Sequence, residues 1–230
     1  MTARERSSVP LIICFGDSLT VGYQSPTPEH PERETPYGRF LQERLGSAAR
    51  VAVSGVCGEV TGEMILRFRQ DVLQHRPASV IVLGGTNDLG WNAGPDAIMH
   101  NLLKMYEQAL SADIQPVAVT VPSLRLAGEP DGPRTAIRTE DGFQLAPGRL
   151  EPYIARRQIL NRLIADYCRH RDVRCVDLFT ATLEPGTQRL AEPYSNDGLH
   201  LTTQGYQLLA TLLYQQVFAG RFPHSGPVDR

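Results

Sequence analysis

Several things are scarce in this sequence, and each scarcity closes off a class of protein. An excess of positive charge is missing: 23 Lys and Arg stand against 25 Asp and Glu, a formal net charge of −2. Nothing electrostatic therefore draws the chain to nucleic acid or to an anionic membrane surface. The four cysteines, Cys14, Cys57, Cys168 and Cys175, form no C-x-x-C pair. In 230 residues that pattern favours reduced thiols and a cytoplasmic setting over a disulfide framework. No run approaches the roughly 20 apolar residues of a membrane helix. The apolar stretch Val9–Phe15 is short for a signal core and runs straight into Gly16-Asp17-Ser18 without a small-residue cleavage site. His30, His75, His100, His170 and His224 show no metal-ligand spacing, and H-E-x-x-H is absent. The glycines of GDSLTVG are not followed by Gly-Lys-Ser/Thr, so they make no phosphate loop. Internal repeats are absent, and nothing in the composition speaks to assembly.

What is present is a regular alternation. Short β-branched runs at Pro10–Phe15, Arg50–Ser54, Ser79–Leu83, Val117–Val121 and Val173–Asp177 read as strands. Between and after them, helical patterns cover Pro36–Leu45, Thr61–Gln74, Pro95–Ser111, Tyr153–His170 and Thr202–Phe218. In the third of these, Ile98, Leu102, Met105 and Ala109 hold one face, and Pro95 suits a first helical position. This predicts a single α/β domain over residues 1–230: a three-layer α/β/α sandwich around a five-stranded parallel sheet. The expected strand order is flavodoxin-like, 2-1-3-4-5, with right-handed crossovers. Two stretches read as irregular. Tyr23–Thr35 is a polar, proline-rich loop, and Pro122–Leu150, with four prolines and four glycines, reads as a lid or pocket wall.

In such sheets ligands bind beyond the carboxyl ends of the strands. There the sequence places GDSL (16–19) after strand 1, GVCG (55–58) after strand 2 and GGTND (84–88) after strand 3, while DGLHLT (197–202) precedes the last helix. Together they supply a hydroxyl, an imidazole, a carboxylate, a side-chain amide and glycine-flanked N–H groups. Acyl transfer needs that set: a base to activate the serine, an acid to orient the base, and donors for the oxyanion. The sequence is not the G-x-S-x-G nucleophile elbow, because its serine follows the first strand and its acid and base share one short C-terminal segment. Asp17 and Asp88 are expected to hold their loops by accepting backbone N–H bonds, and Cys57 to be a packing residue.

The four strings, in this order, resemble the GDSL or SGNH family of serine hydrolases (esterases and lipases), and the likeness runs from Phe15 to the final helix. It departs at Val53, where many members carry asparagine. The resemblance implies Ser18 as nucleophile, Asp197 and His200 as its partners, and an oxyanion hole of the Ser18 N–H, Gly58 and Asn87. Leu19, Trp91 and Leu124 are expected to line the substrate pocket. The function so implied is hydrolysis of small carboxylic esters, with short or medium acyl or aryl groups. It proceeds through an acyl-enzyme, needs no metal or organic cofactor, and has a small-molecule ester as partner, with neither nucleic acid nor stable membrane association. Alternatives on the same triad are a lysophospholipase, a thioesterase or a carbohydrate deacetylase. A non-catalytic ligand-binding module and a flavin or nucleotide binder are the readings from other classes.

Overall fold

A computed structural model describes residues 9–125, 134–139, 142–147 and 150–222, the two short segments by backbone alone. The run LIICFG becomes β1 (Leu11–Gly16), buried on both faces from its second residue, as an inner strand of a parallel sheet must be. A one-turn helix, α1 (Ser18–Val21), follows at once. Residues read as a loop then form a minimal antiparallel pair, β2 (Tyr23–Gln24) with β3 (Arg33–Glu34). Helix α2 (Tyr37–Leu45) leads to β4 (Arg50–Gly55), and α3 (Thr61–Asp71) leads to β5 (Ser79–Leu83). Next come the short α4 (Thr86–Gly90), the 17-residue α5 (Pro95–Ser111) and β6 (Gln115–Val119).

The segment beyond β6 was read as wholly irregular, and here the structure differs. It contains an antiparallel pair, β7 (Arg134–Thr139) with β8 (Gly142–Pro147). The stretches RTAIRT and GFQLAP meet at an Asp-Gly, a hairpin signal that the surrounding prolines and glycines outweighed. Pro122–Arg125 and Leu150 are described; the rest of the expected lid lies outside the described residues. The chain continues with α6 (Glu151–Arg171), β9 (Arg174–Val176), α7 (Leu178–Ala181) and α8 (Thr203–Leu213).

The five long-range strands make one parallel sheet in the order β4-β1-β5-β6-β9, which is 2-1-3-4-5 counted along the sheet strands. Helices α2 and α8 pack together on one face, and α3, α5 and α6 form a row on the other. The fold is thus the expected three-layer α/β/α sandwich. Ile98, Leu102, Met105 and Ala109 are all buried under α5, and Pro95 opens that helix where its missing N–H is not needed. Among the described residues, no helix is long and apolar enough to cross a membrane. The three strand exits that matter for the site, those of β1, β4 and β5, point to one rim, because every strand runs the same way.

Candidate active site

The first rim position is set by helix capping. Asp17 takes an extended backbone and its Oδ1 accepts the Leu19 N–H at 2.9 Å, which starts α1 immediately after β1. Ser18 is then the first residue of that helix, and its hydroxyl is held at the strand mouth, 6% exposed. Asp17 itself is fully buried, and its Oδ2 has no hydrogen-bond partner among the described residues. Burial raises its carboxyl from the ordinary 3.8 to about 7.

Across the rim lies the segment before α8. His200 Nε2 stands 3.2 Å from Ser18 Oγ, and His200 Nδ1 stands 2.7 Å from Asp197 Oδ2. Three residues of separation suffice because the loop turns on Asp197 itself: its Oδ1 accepts the backbone N–H of Leu199 at 2.9 Å and of His200 at 2.7 Å. Ser25, from the β2–β3 segment, donates its hydroxyl to Asp197 Oδ2. Burial alone would raise the Asp197 carboxyl, but the hydrogen bond and charge of His200 outweigh it and hold the group well below the usual carboxylate range. An ionised Asp197 only accepts, so Nδ1 carries the proton and Nε2 presents its lone pair to Ser18. The Tyr23 ring packs edge-on against the imidazole, with centroids 4.7 Å apart. Gly198 makes the loop possible: its φ is +83°, and a Cβ there would lie 2.1 Å from the Arg125 carbonyl oxygen.

Two further loops close the rim. Asn87, 4% exposed on α4, donates one amide hydrogen of Nδ2 to the Glu59 carbonyl at 2.9 Å, and the other has no acceptor among the described residues. Gly58 adopts φ +78°, a conformation open to glycine, in the loop leaving β4. That loop is fastened to β1 by a bond from Val56 N to the Gly16 carbonyl, 3.0 Å. The N–H groups of Ser18 and Gly58 donate to no acceptor among the described residues. Asp88 behaves as the sequence suggested. Its carboxylate accepts the Thr61 N–H at 2.9 and 3.1 Å and the Thr61 hydroxyl at 2.6 Å, and so caps α3, whose own cap position Val60 has no acceptor.

The pocket residues separate. Trp91, 55% exposed, lines an open cleft of about 800 Å³ together with Val56, Gly58, Val60 and Ala93. Leu19, expected in the pocket, is fully buried in the main core, because the second residue of the one-turn α1 faces inward. Leu124 is buried in a small cluster with Leu150, Ile154, Phe179 and Leu199, directly beneath the His200 segment. Cys57 is a correction as well: it is exposed on the same cleft instead of packed. Partial burial, then the charges of Glu34, Asp17 and Glu32, raise its thiol, so it is not a poised thiolate. The reading from sequence missed Ser25, Tyr23 and the Arg67–Glu59 pair. The first two lie in a loop noted only for its prolines, and Arg67 falls on a helix outside all four blocks.

The model of the GDSL-like lipase/acylhydrolase family matches residues 14–208. The chain is 32% identical to an arylesterase of Vibrio mimicus over 108 residues, 46% of this chain and 50% of that protein. It is 24% identical to an uncharacterized lipoprotein of Bacillus subtilis over 115 residues, 47% of each. The chain therefore spans about half the length of the curated relatives it matches. Among solved structures, a lipase/acylhydrolase from Enterococcus faecalis superposes with a TM-score of 0.69 at 23% identity, covering 93% of this chain and 97% of that one. The aryl esterase of M. smegmatis gives 0.68 at 20% identity, covering 90% and 98%. At these identities the structural likeness concerns the fold.

Proposed function

This chain belongs to the GDSL-like lipase/acylhydrolase family, and from that premise we propose that it is a serine esterase that hydrolyses small carboxylic esters through an acyl-enzyme on Ser18. One observation carries the reading: Asp197, His200 and Ser18 form a continuous line of contacts, 2.7 and 3.2 Å long, with the imidazole lone pair facing the hydroxyl. In the first step Ser18 Oγ attacks the ester carbonyl carbon and passes its proton to His200 Nε2. The carbonyl oxygen, now negative, is met by the N–H groups of Ser18 and Gly58 and by the second amide hydrogen of Asn87. His200 then returns the proton to the departing alcohol, and the acyl group remains on Ser18. Water attacks that acyl-enzyme with His200 again as base, and the acid leaves. Asp197 stays ionised and fixes the tautomer throughout.

The ester proposed is a small one, with an aryl or short acyl group in the cleft beside Gly58. The exposed Trp91 and the neighbouring Val56 and Val60 give that cleft an apolar wall suited to an aromatic ring. The partial likeness to an arylesterase favours the same class. A single domain and a cytoplasmic setting belong to this proposal, the latter on the scattered free cysteines noted above.

A fluorophosphonate probe followed by peptide mapping tests the assignment. The expected result is one adduct, on Ser18, together with turnover of p-nitrophenyl acetate. Folded protein that takes up no probe would support the non-catalytic binding module instead.

A further inference from the structure

Arg67, on α3, takes no part in the scheme above, yet every N–H it owns is engaged. A guanidinium has five such donors in a rigid fork. Nε donates to both oxygens of Glu59, at 2.7 and 2.9 Å. Nη2 donates to Glu59 Oε2 at 2.5 Å and to the Gly16 carbonyl at 2.9 Å. Nη1 donates to Ser54 Oγ at 2.6 Å and to Asp71 Oδ2 at 2.8 Å. The group also lies over the Phe15 ring, 4.2 Å from its centroid. One cation thereby joins the end of β1, the end of β4 and the loop that carries Gly58.

The acceptors are the informative part. Gly16 is two residues before Ser18. Glu59 directly follows Gly58, and its main-chain carbonyl is the acceptor for Asn87 Nδ2 at 2.9 Å. Because a carboxamide is planar, the oxygen that receives one of its hydrogens fixes the direction of the other. Arg67 therefore grips the side chain of the residue whose main-chain carbonyl receives and directs the Asn87 amide. We propose that Arg67, acting through Glu59, is a positioning residue that aims the Asn87 donor of the oxyanion hole. The inference rests on the serine-esterase reading. A lysine could keep the charge but not the fork, so Arg67→Lys is a meaningful change in spite of its conservative name.

The test uses the full chain carrying Arg67→Lys, Glu59→Gln, Asn87→Ala, and Arg67→Lys combined with Asn87→Ala. For each, kcat and KM are measured on p-nitrophenyl acetate, active sites are counted with the fluorophosphonate probe, and the melting temperature is recorded. Small displacements of pre-aimed groups reduce rates by up to about 100-fold, so R67K should lower kcat per active site by about 10- to 100-fold. KM should stay within about threefold, since the lost contact belongs to the transition state. With Asn87 already replaced, the same change should lower kcat by less than about threefold, because the donor it aims has gone. Glu59→Gln keeps the side-chain shape and the main-chain carbonyl, should repeat the pattern, and decides the matter where R67K yields little folded protein. Equal loss in both backgrounds marks a merely structural tie and overturns the inference, as does an unchanged kcat. A folded wild-type chain with no Ser18 adduct overturns the esterase reading and this inference with it. An adduct with an unaffected R67K overturns the inference alone.

Discussion

Ser18, Asp197 and Asn87 differ in what their loss should do, and the differences are large enough to separate their roles. Ser18→Ala removes the atom proposed to form the acyl bond, and kcat should fall by about 10⁶. Asp197→Asn leaves the geometry but allows the wrong imidazole tautomer, for a loss of roughly 10⁴ in kcat. Asn87→Ala removes one oxyanion donor of three, and about 10²–10³ should be lost. A flat response across the three on p-nitrophenyl acetate would contradict those roles. Asp17 gives a prediction in stability instead of rate. Its carboxyl is raised by burial from 3.8 to about 7 in the folded chain. Between those values the folded state keeps a proton that the unfolded state releases, so this group's contribution to stability falls as pH rises from about 4 to 7. Asp17→Asn keeps the acceptor for Leu19 N and cannot ionise. Its melting temperature should match or trail the wild type at pH 4.5 and exceed it at pH 8, where the relief is at most about 4 kcal/mol. Parallel melting curves against pH would show that Asp17 does not titrate in this window.

At the scale of elements, the site is assembled by side chains that cap or clamp a neighbour. Helix α3 begins at Thr61 with no acceptor of its own at Val60, and α4 supplies one through Asp88. Asp88→Ala would leave the Thr61 N–H without a partner in a buried place. The expected loss is about 2–3 kcal/mol of stability in urea unfolding. Asp88→Asn, which retains an acceptor, should recover part of it. The same clamp sits one residue from Asn87, so kcat should fall in Asp88→Ala even at temperatures where the chain is folded. Gln24 does comparable work between the β2–β3 segment and α8, donating to Thr203 Oγ1 and accepting the Thr203 N–H, both at 3.0 Å. That seat explains why Tyr23 and Ser25 reach His200 and Asp197 from a stretch that reads as plain loop.

For the molecule as a whole, the parallel sheet gathers every functional loop on one rim, and the cleft beside Gly58 and Trp91 decides what can lie there. Phenyl and naphthyl acetates should be turned over with a lower KM than ethyl acetate, and Trp91→Ala should raise KM for the aryl esters by about 10-fold while leaving kcat on p-nitrophenyl acetate within a small factor. Acetylated xylan turned over faster than any aryl ester would move the substrate class to sugars. The sheet order, the helices between the strands, the three blocks at strand exits and the one before the last helix were legible in the sequence because each depends on local periodicity or on a short string. Leu19 was misjudged because a one-turn helix has too few residues to reveal its inward side. The β7–β8 pair was hidden by the prolines and glycines that surround its Asp-Gly. Arg67 could not be found by any local rule, since its acceptors are at residues 16, 54, 59 and 71, on three different elements. The order of residues along the chain determined which chemical groups this protein owns and which strand end each occupies. Only the folded structure decided their aim: hydrogen bonds are directional over about 3 Å, and the atoms that direct Ser18, Gly58, Asn87 and His200 come from parts of the chain far apart in sequence.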